Sequence, residues 1–163
     1  MRLVYWRAGT ADVPQMLHDD VSRALLWGII GGVASSLAAL IYIQVIQSID
    51  VFPALRQQGQ VTGASIALWL AILAVVAAPV FEEFIFRGLI FGGLRRSVNV
   101  AIATLASAAI FAIVHPPVSV IPVFVMGVCA ALVYERTRML AAPVVSHAIY
   151  NAAVVAFQWN VAR

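Results

Sequence analysis

The stretch Pro79-Val80-Phe81-Glu82-Glu83-Phe84-Ile85-Phe86-Arg87-Gly88 lies inside a run, 64–94, that is otherwise almost wholly apolar. Two adjacent carboxylates and a guanidinium fall there within about a turn and a half of helix. At bilayer depth each such charge costs at least ~2.5–3.5 kcal/mol on the insertion scale. A chain that keeps three of them together must pair them, use them, or both.

The composition places that run in a membrane. Hydrophobic residues make up 63% of the 163-residue chain, charged residues 10%, and the mean hydropathy is +0.98. Soluble domains run near ~45–50% apolar and ~25% charged, so a water-soluble core of this length could not hide so much apolar surface. The net charge of +3 comes from arginines scattered among loop positions, which form no basic face, and nucleic acid is not an expected partner. The single cysteine, Cys129, excludes an intrachain disulfide and reads as a packed thiol in an apolar run.

Hydropathy and breakers divide the chain into a polar leading segment and one helical domain. Residues 1–23 mix Arg2, Arg7 and Arg23 with Asp12, Asp19, Asp20 and His18, and form an expected cytoplasmic segment, too polar for a cleaved signal. Residues 24–163 are expected to form a single transmembrane domain whose core motifs occupy 79–157. Five spans are expected, over about 24–46, 64–94, 98–115, 118–134 and 139–159, which makes the fold class an all-α polytopic transmembrane helical bundle. Gly28, Gly32 and Ser36 recur every four residues in the first span and should let a neighbouring helix approach closely. The second span is too long for a straight crossing, and Pro79 should kink it just before the glutamates. Pro116-Pro117 stops the third.

Five spans put the termini on opposite sides. With the N-terminus inside, the inner segments hold Arg2, Arg7, Arg23, Arg95, Arg96, Arg136 and Arg138, and the outer ones only Arg56 and Arg163. The positive-inside rule therefore predicts a cytoplasmic N-terminus in a protein integral to the membrane.

Three polar clusters lie far from the loops: Glu82, Glu83 and Arg87; His115, with Phe111 one turn before it; and His147 with Asn151. Glu83 and Arg87 are four apart with the acid first, the favourable order for a helical ion pair. Glu82 points about 100° away and cannot share that arrangement equally. Glu82 is therefore the expected base, facing a cavity, and Glu83 the carboxylate that Arg87 orients. His147 and Asn151 share one helix face and could present an imidazole and an amide to one point. A carboxylate, two imidazoles and an amide suffice to activate water and stabilise an oxyanion. They equally suit a metal-bound water with Glu82, His115 and His147 as ligands.

Taken singly, each cluster reads as structure: an ion pair bracing a kink, a packed histidine, an interhelical hydrogen bond. Taken together they point to a site. A non-catalytic scaffold, immunity factor or peptide-binding protein would keep the same pocket. A small proton-coupled carrier would also bury Glu and His, but no internal repeat supports that reading.

The three motifs in order are Glu82-Glu83-x-x-x-Arg87, Phe111-x-x-x-His115 and His147-x-x-x-Asn151. They resemble the signature of the CPBP family, the type 2 CAAX prenyl proteases and bacteriocin-processing membrane endopeptidases, also called ABI proteins. The resemblance covers about 64–157. It implies peptide-bond hydrolysis in a membrane-embedded cavity, with Glu82 and His115 activating water and His147 and Asn151 stabilising the oxyanion. It implies a peptide or protein substrate at the lipid bilayer, and it leaves open a divalent metal such as zinc or no metal at all. Members commonly carry more spans before the Glu-Glu helix than the one found here, which fits a minimal member, a fragment or one subunit of an oligomer. Counted from the inner loops at ~1.5 Å per residue, Glu82 lies ~18 Å deep, His147 ~12 Å and His115 ~25 Å. For the three to meet, the third helix must tilt or start outside the core, or the Pro116-Pro117 segment must line a cavity.

Overall fold

A computed structural model describes residues 14–17, 20–48 and 64–161, with backbone only for 64–67. His18 and the linker carrying Asp50, Pro53 and Arg56 lie outside the described residues. Five helical elements follow in order. They are α1 (Val21–Ser48), α2, which is continuous from Ala64 to Leu94, α3 (Val100–Ile113), α4 (Val120–Thr137) and α5 (Ala141–Val161).

The local sequence accounts for the helix ends. Asp20 caps α1, its Oδ1 accepting from the Arg23 N–H at 3.1 Å and its carbonyl from Ala24 N–H at 3.1 Å. Asn99 caps α3 in the same way, its side chain accepting from Ile102 N–H at 3.0 Å. α3 ends at Ile113 because residues 116 and 117 are prolines without N–H groups, which leaves the carbonyls of the last turn without their usual donors. His115 therefore stands in the turn beyond the helix rather than at its last position. α4 closes on Arg138 in the left-handed region (φ 57°, ψ 19°), with its N–H returned to Tyr134 O at 2.7 Å.

α2 is the unusual element. Two stretches, Leu73–Ala77 and Phe84–Phe91, are wound as π-helix, on either side of the α-helical Ala78–Glu83. Pro79 directly follows the first π stretch, and the backbone is helical through Ala77 (φ −77°, ψ −48°) and Ala78 (φ −56°, ψ −48°).

Among the described residues, three helices are long and apolar enough to cross a bilayer: Val21–Ser48, Leu68–Leu94 and Pro117–Thr137. α3, with 14 residues, rises only ~21 Å against a hydrocarbon core of ~30 Å. α5 has the length, at 21 residues, but His147 and Asn151 interrupt its apolar run. Glu83, Arg87, Ser35, Thr104, Ser107, Ser146 and His147 are buried, whereas Trp69, Phe81 and Ile113 are exposed.

Small residues set the helix spacing. A Cβ on Gly28 would lie 2.7 Å from Ala142 O, and one on Gly32 would lie 2.8 Å from Ile149 Cβ, so α1 and α5 meet backbone to backbone. Gly127 does the same for α4 against Ala108 of α3, at 3.1 Å. Phe111, Met126, Ala130 and Tyr150 fill the centre of the resulting core. Residues 14–17, from the polar leading segment, pack into this domain: Gln15 O and Met16 O accept from Leu140 and Ala141 N–H at 2.9 and 3.0 Å. Those bonds satisfy donors at the start of α5 that no helical carbonyl reaches.

Candidate active site

The site forms where α2, α3, α4 and α5 meet around Glu83 and Arg87, which are 0% and 1% exposed. Their spacing of four puts Arg87 Nε 3.0 Å from Glu83 Oε2. The N–H is not aligned on that oxygen, so the contact is a charge pair rather than a directed hydrogen bond. The guanidinium finds two further partners. Nη2 donates to Gly127 O at 3.1 Å, and Cζ lies 4.7 Å from the centre of the Phe111 ring.

His147 connects the two glutamates. Its Nδ1 lies 2.8 Å from Glu83 Oε1, and its Nε2 lies 3.7 Å from Glu82 Oε2. A carboxylate only accepts, so the proton of that bond resides on Nδ1 and the lone pair of a neutral ring is on Nε2, toward Glu82. The second distance is beyond a direct hydrogen bond and within ion-pair range. The two carboxylates differ sharply in setting. Glu83 is enclosed, while the Glu82 side chain is 32% exposed.

Asn151 is occupied by the backbone of α2. In the π turn the Ala78 N–H bonds to Leu73 O, so the residue in register to serve Ala74 O is Pro79, which has no N–H. Asn151 Nδ2 donates to that carbonyl at 2.7 Å. One amide N–H is thus committed to holding α5 against the proline turn.

His115 reaches the site through Phe111. Its Nδ1 lies 2.8 Å from Phe111 O, a carbonyl left open because His115 N–H bonds to Ala112 O instead. The Phe111 ring is 4.7 Å from the His115 ring, 5.7 Å from His147 and 4.7 Å from Phe86. Among the described residues no hydrogen bond or ion pair joins His115 to either glutamate. The Pro116-Pro117 turn is tied from outside, by Tyr42 OH of α1 to Val118 O at 2.8 Å. The conditional metal ligands Glu82, His115 and His147 do not assemble, and among the described residues no group of three His, Cys, Asp or Glu side chains could hold an ion. A divalent metal does not fit these donors as they stand.

The six candidate residues thus fall into two layers. Glu82, Glu83, Arg87 and His147 form one connected cluster. Asn151 lies beside it on Ala74, and His115 stands across an aromatic ring. The sequence does not signal Ala74, Gly127 or Tyr42, because each contributes through a carbonyl or a remote contact. Phe111 appears in its motif but reads only as packing.

The model of the type II CAAX prenyl endopeptidase Rce1-like family matches residues 64–153. The chain is 42% identical over 90 residues to the membrane-embedded CAAX protease MroQ of Staphylococcus aureus (strain USA300), covering 51% of this chain and 36% of that one. It is 30% identical over 152 residues to the membrane peptidase YdiL of Bacillus subtilis (strain 168), covering 89% of this chain and 61% of the relative. The chain therefore spans less than two thirds of the length of either relative. No solved structure matches it. Matched across more than half its length, with all three polar motifs inside the matched region, the chain belongs to the Rce1-like family of type II CAAX prenyl endopeptidases.

Proposed function

We propose that this protein is an intramembrane endopeptidase in which Glu82 is the general base and His147 positions the water. The observation that carries the reading is the placement of His147 between a buried glutamate at 2.8 Å and a partly open one at 3.7 Å. Glu83, held by Arg87, keeps the His147 proton on Nδ1. Nε2 then accepts one hydrogen of a water whose other hydrogen faces Glu82 Oε2.

In the reaction, the Glu82 carboxylate takes a proton as the water oxygen bonds to the carbonyl carbon, and the carbonyl electron pair moves onto its oxygen. The proton passes from Glu82 to the amide nitrogen, the C–N bond breaks, and an acid and an amine leave. Glu82 returns as a carboxylate. The uncommitted N–H of Asn151 is the donor we assign to the oxyanion, and His115 the second imidazole at the cavity. The substrate is a peptide or protein segment at the membrane. The arginine-rich end of the bundle is the cytoplasmic end, and cleavage takes place in the half of the bilayer nearer to it.

Two observations favour a second reading, a peptide-binding protein without turnover. One Asn151 N–H is already bound to Ala74 O, and Phe111 separates His115 from the cluster. Purified full-length protein in nanodiscs, incubated with a library of membrane-inserting peptides and followed by mass spectrometry, separates the two. An endopeptidase yields fragments that disappear with Glu82→Gln, a loss of about 10²–10⁴-fold for a general base. Cleavage that survives Glu82→Gln overturns the catalytic assignment, and retention of intact peptides by both forms supports the binder.

A further inference from the structure

Away from the site, one surface feature combines apolar shape with charge. An open groove of about 630 Å³ is lined by α1 and α4 at the end where α1 starts and α4 stops. Trp27, Ile30, Ala34 and Leu132 supply much of its lining, and Arg23 and Arg136 belong to it as well. Ile30 and Leu132 are 46% and 51% exposed, so no described element covers them.

The arginines are organised. Arg23 Nη2 donates to Arg136 O at 3.2 Å, and the Arg136 guanidinium lies 5.2 Å from the Trp27 ring. Glu135 also lines the groove, but its carboxylate is taken by Arg95 at 3.0 Å and Arg138 at 2.8 Å. Asp20, beside Arg23, accepts from the Arg23 backbone N–H and the Ser22 hydroxyl. Among the described residues, this end of the bundle thus sets Arg23, Arg95, Arg96, Arg136 and Arg138 against Asp20 and Glu135, a basic balance.

We propose that the groove holds an anionic phospholipid, its phosphate between Arg23 and Arg136 and one acyl chain along Trp27, Ile30 and Leu132. Guanidinium groups match phosphate oxygens in geometry as well as charge. Arginines near an anionic lipid surface strengthen its binding, whereas a zwitterionic headgroup also brings a cation to them. Trp27 follows Arg23 by one helical turn, and its amphipathic indole is a residue type enriched between headgroup and acyl chain. A peptide would leave its own N–H and C=O groups against an apolar lining, a cost an acyl chain does not carry. Bound there, the lipid bridges α1 and α4. The α4 half of the groove lies inside the family-matched region, 64–153, and the α1 half outside it.

The test uses the full chain in detergent, with native mass spectrometry and thermal unfolding. Phosphatidylglycerol should be retained about tenfold or more over phosphatidylcholine of the same acyl chains, and should raise the melting temperature. The Arg23→Gln/Arg136→Gln double variant should lose that preference, whereas Arg96→Gln, outside the groove lining, should keep it. If the double variant does not fold, Ala34→Trp takes its place. It fills the groove with both arginines intact and should abolish the retained phosphatidylglycerol. Equal retention of the two lipids, an unchanged preference in the double variant or in Ala34→Trp, or displacement of the lipid by inorganic phosphate would overturn the proposal.

Discussion

Nδ1 of His147 lies 2.8 Å from Oε1 of Glu83, a bond between residues 64 positions apart in the chain. It fastens α5 to α2 at the point where Arg87 also holds Glu83. The imidazole therefore has a defined orientation before any substrate arrives, and its other nitrogen is aimed at Glu82. The same bond gives the two adjacent glutamates opposite dependencies.

Glu82→Gln and Glu83→Gln should fail in different ways. Glu82 is partly open and makes no buried ion pair, so its amide should fold with near-unchanged thermal stability and lose turnover. Glu83→Gln leaves the Arg87 charge buried without its partner, an expected loss of about 3–5 kcal/mol. Thermal unfolding in detergent distinguishes them. Equal destabilisation by the two substitutions would contradict the division of roles.

Asn151 and Pro79 should be energetically coupled. Asn151→Ala strands the Ala74 carbonyl, with an expected cost of about 1–3 kcal/mol. Pro79→Ala restores an N–H that can serve that carbonyl, so Asn151→Ala should cost less in the Pro79→Ala background. A double-mutant cycle on chemical unfolding measures the difference. Additive losses would show that the proline turn and the asparagine are independent.

Two glycines should respond in opposite directions to the same substitution. A Cβ at Gly32 would lie 2.8 Å from Ile149 Cβ and 2.9 Å from Ser146 O. Gly32→Ala should therefore push α1 from α5 at about 1–3 kcal/mol. At Gly93 a Cβ meets nothing within 4 Å, and Gly93→Ala should be neutral or stabilising by about 0.5–1 kcal/mol. Melting temperatures of the two variants provide the check.

Asp20 should give α1 a pH dependence at its first turn. The Ser22 hydroxyl, and then the Arg23 backbone N–H, hold its carboxyl below the usual carboxylate range. A folded value below the unfolded one means that the capping stabilisation is present above the ordinary carboxylate pKa, ~3.9. It is lost as the pH falls through the lower, folded value. Carbon-detected NMR titration of the Asp20 carboxyl measures that value directly. An ordinary midpoint would argue against the cap.

Much of this architecture can be read along the chain. The apolar runs, the Pro116-Pro117 stop, the small residues facing α5 and the i,i+4 spacing of Glu83 and Arg87 are local features, and helical geometry converts them into structure. Span assignment was less legible. α3 proved to be a 14-residue helix, because the proline pair and the Asn99 cap set its ends irrespective of hydropathy. The path of α2 was not legible either. The proline can be read from the sequence, but the π turn beside it and the donor that another helix supplies to the orphaned carbonyl cannot.

The sequence by itself determined the medium, the helical class and the order of the three polar motifs, since composition and spacing alone specify these. Only the tertiary structure decided that His147 faces both glutamates through different nitrogens, that Asn151 is engaged by Ala74, and that Phe111 stands between the histidines. Those relationships depend on how closely helices distant in sequence approach and on how they are rotated about their axes. Side-chain periodicity gives a helix its face, and packing against the neighbouring helices decides what that face meets.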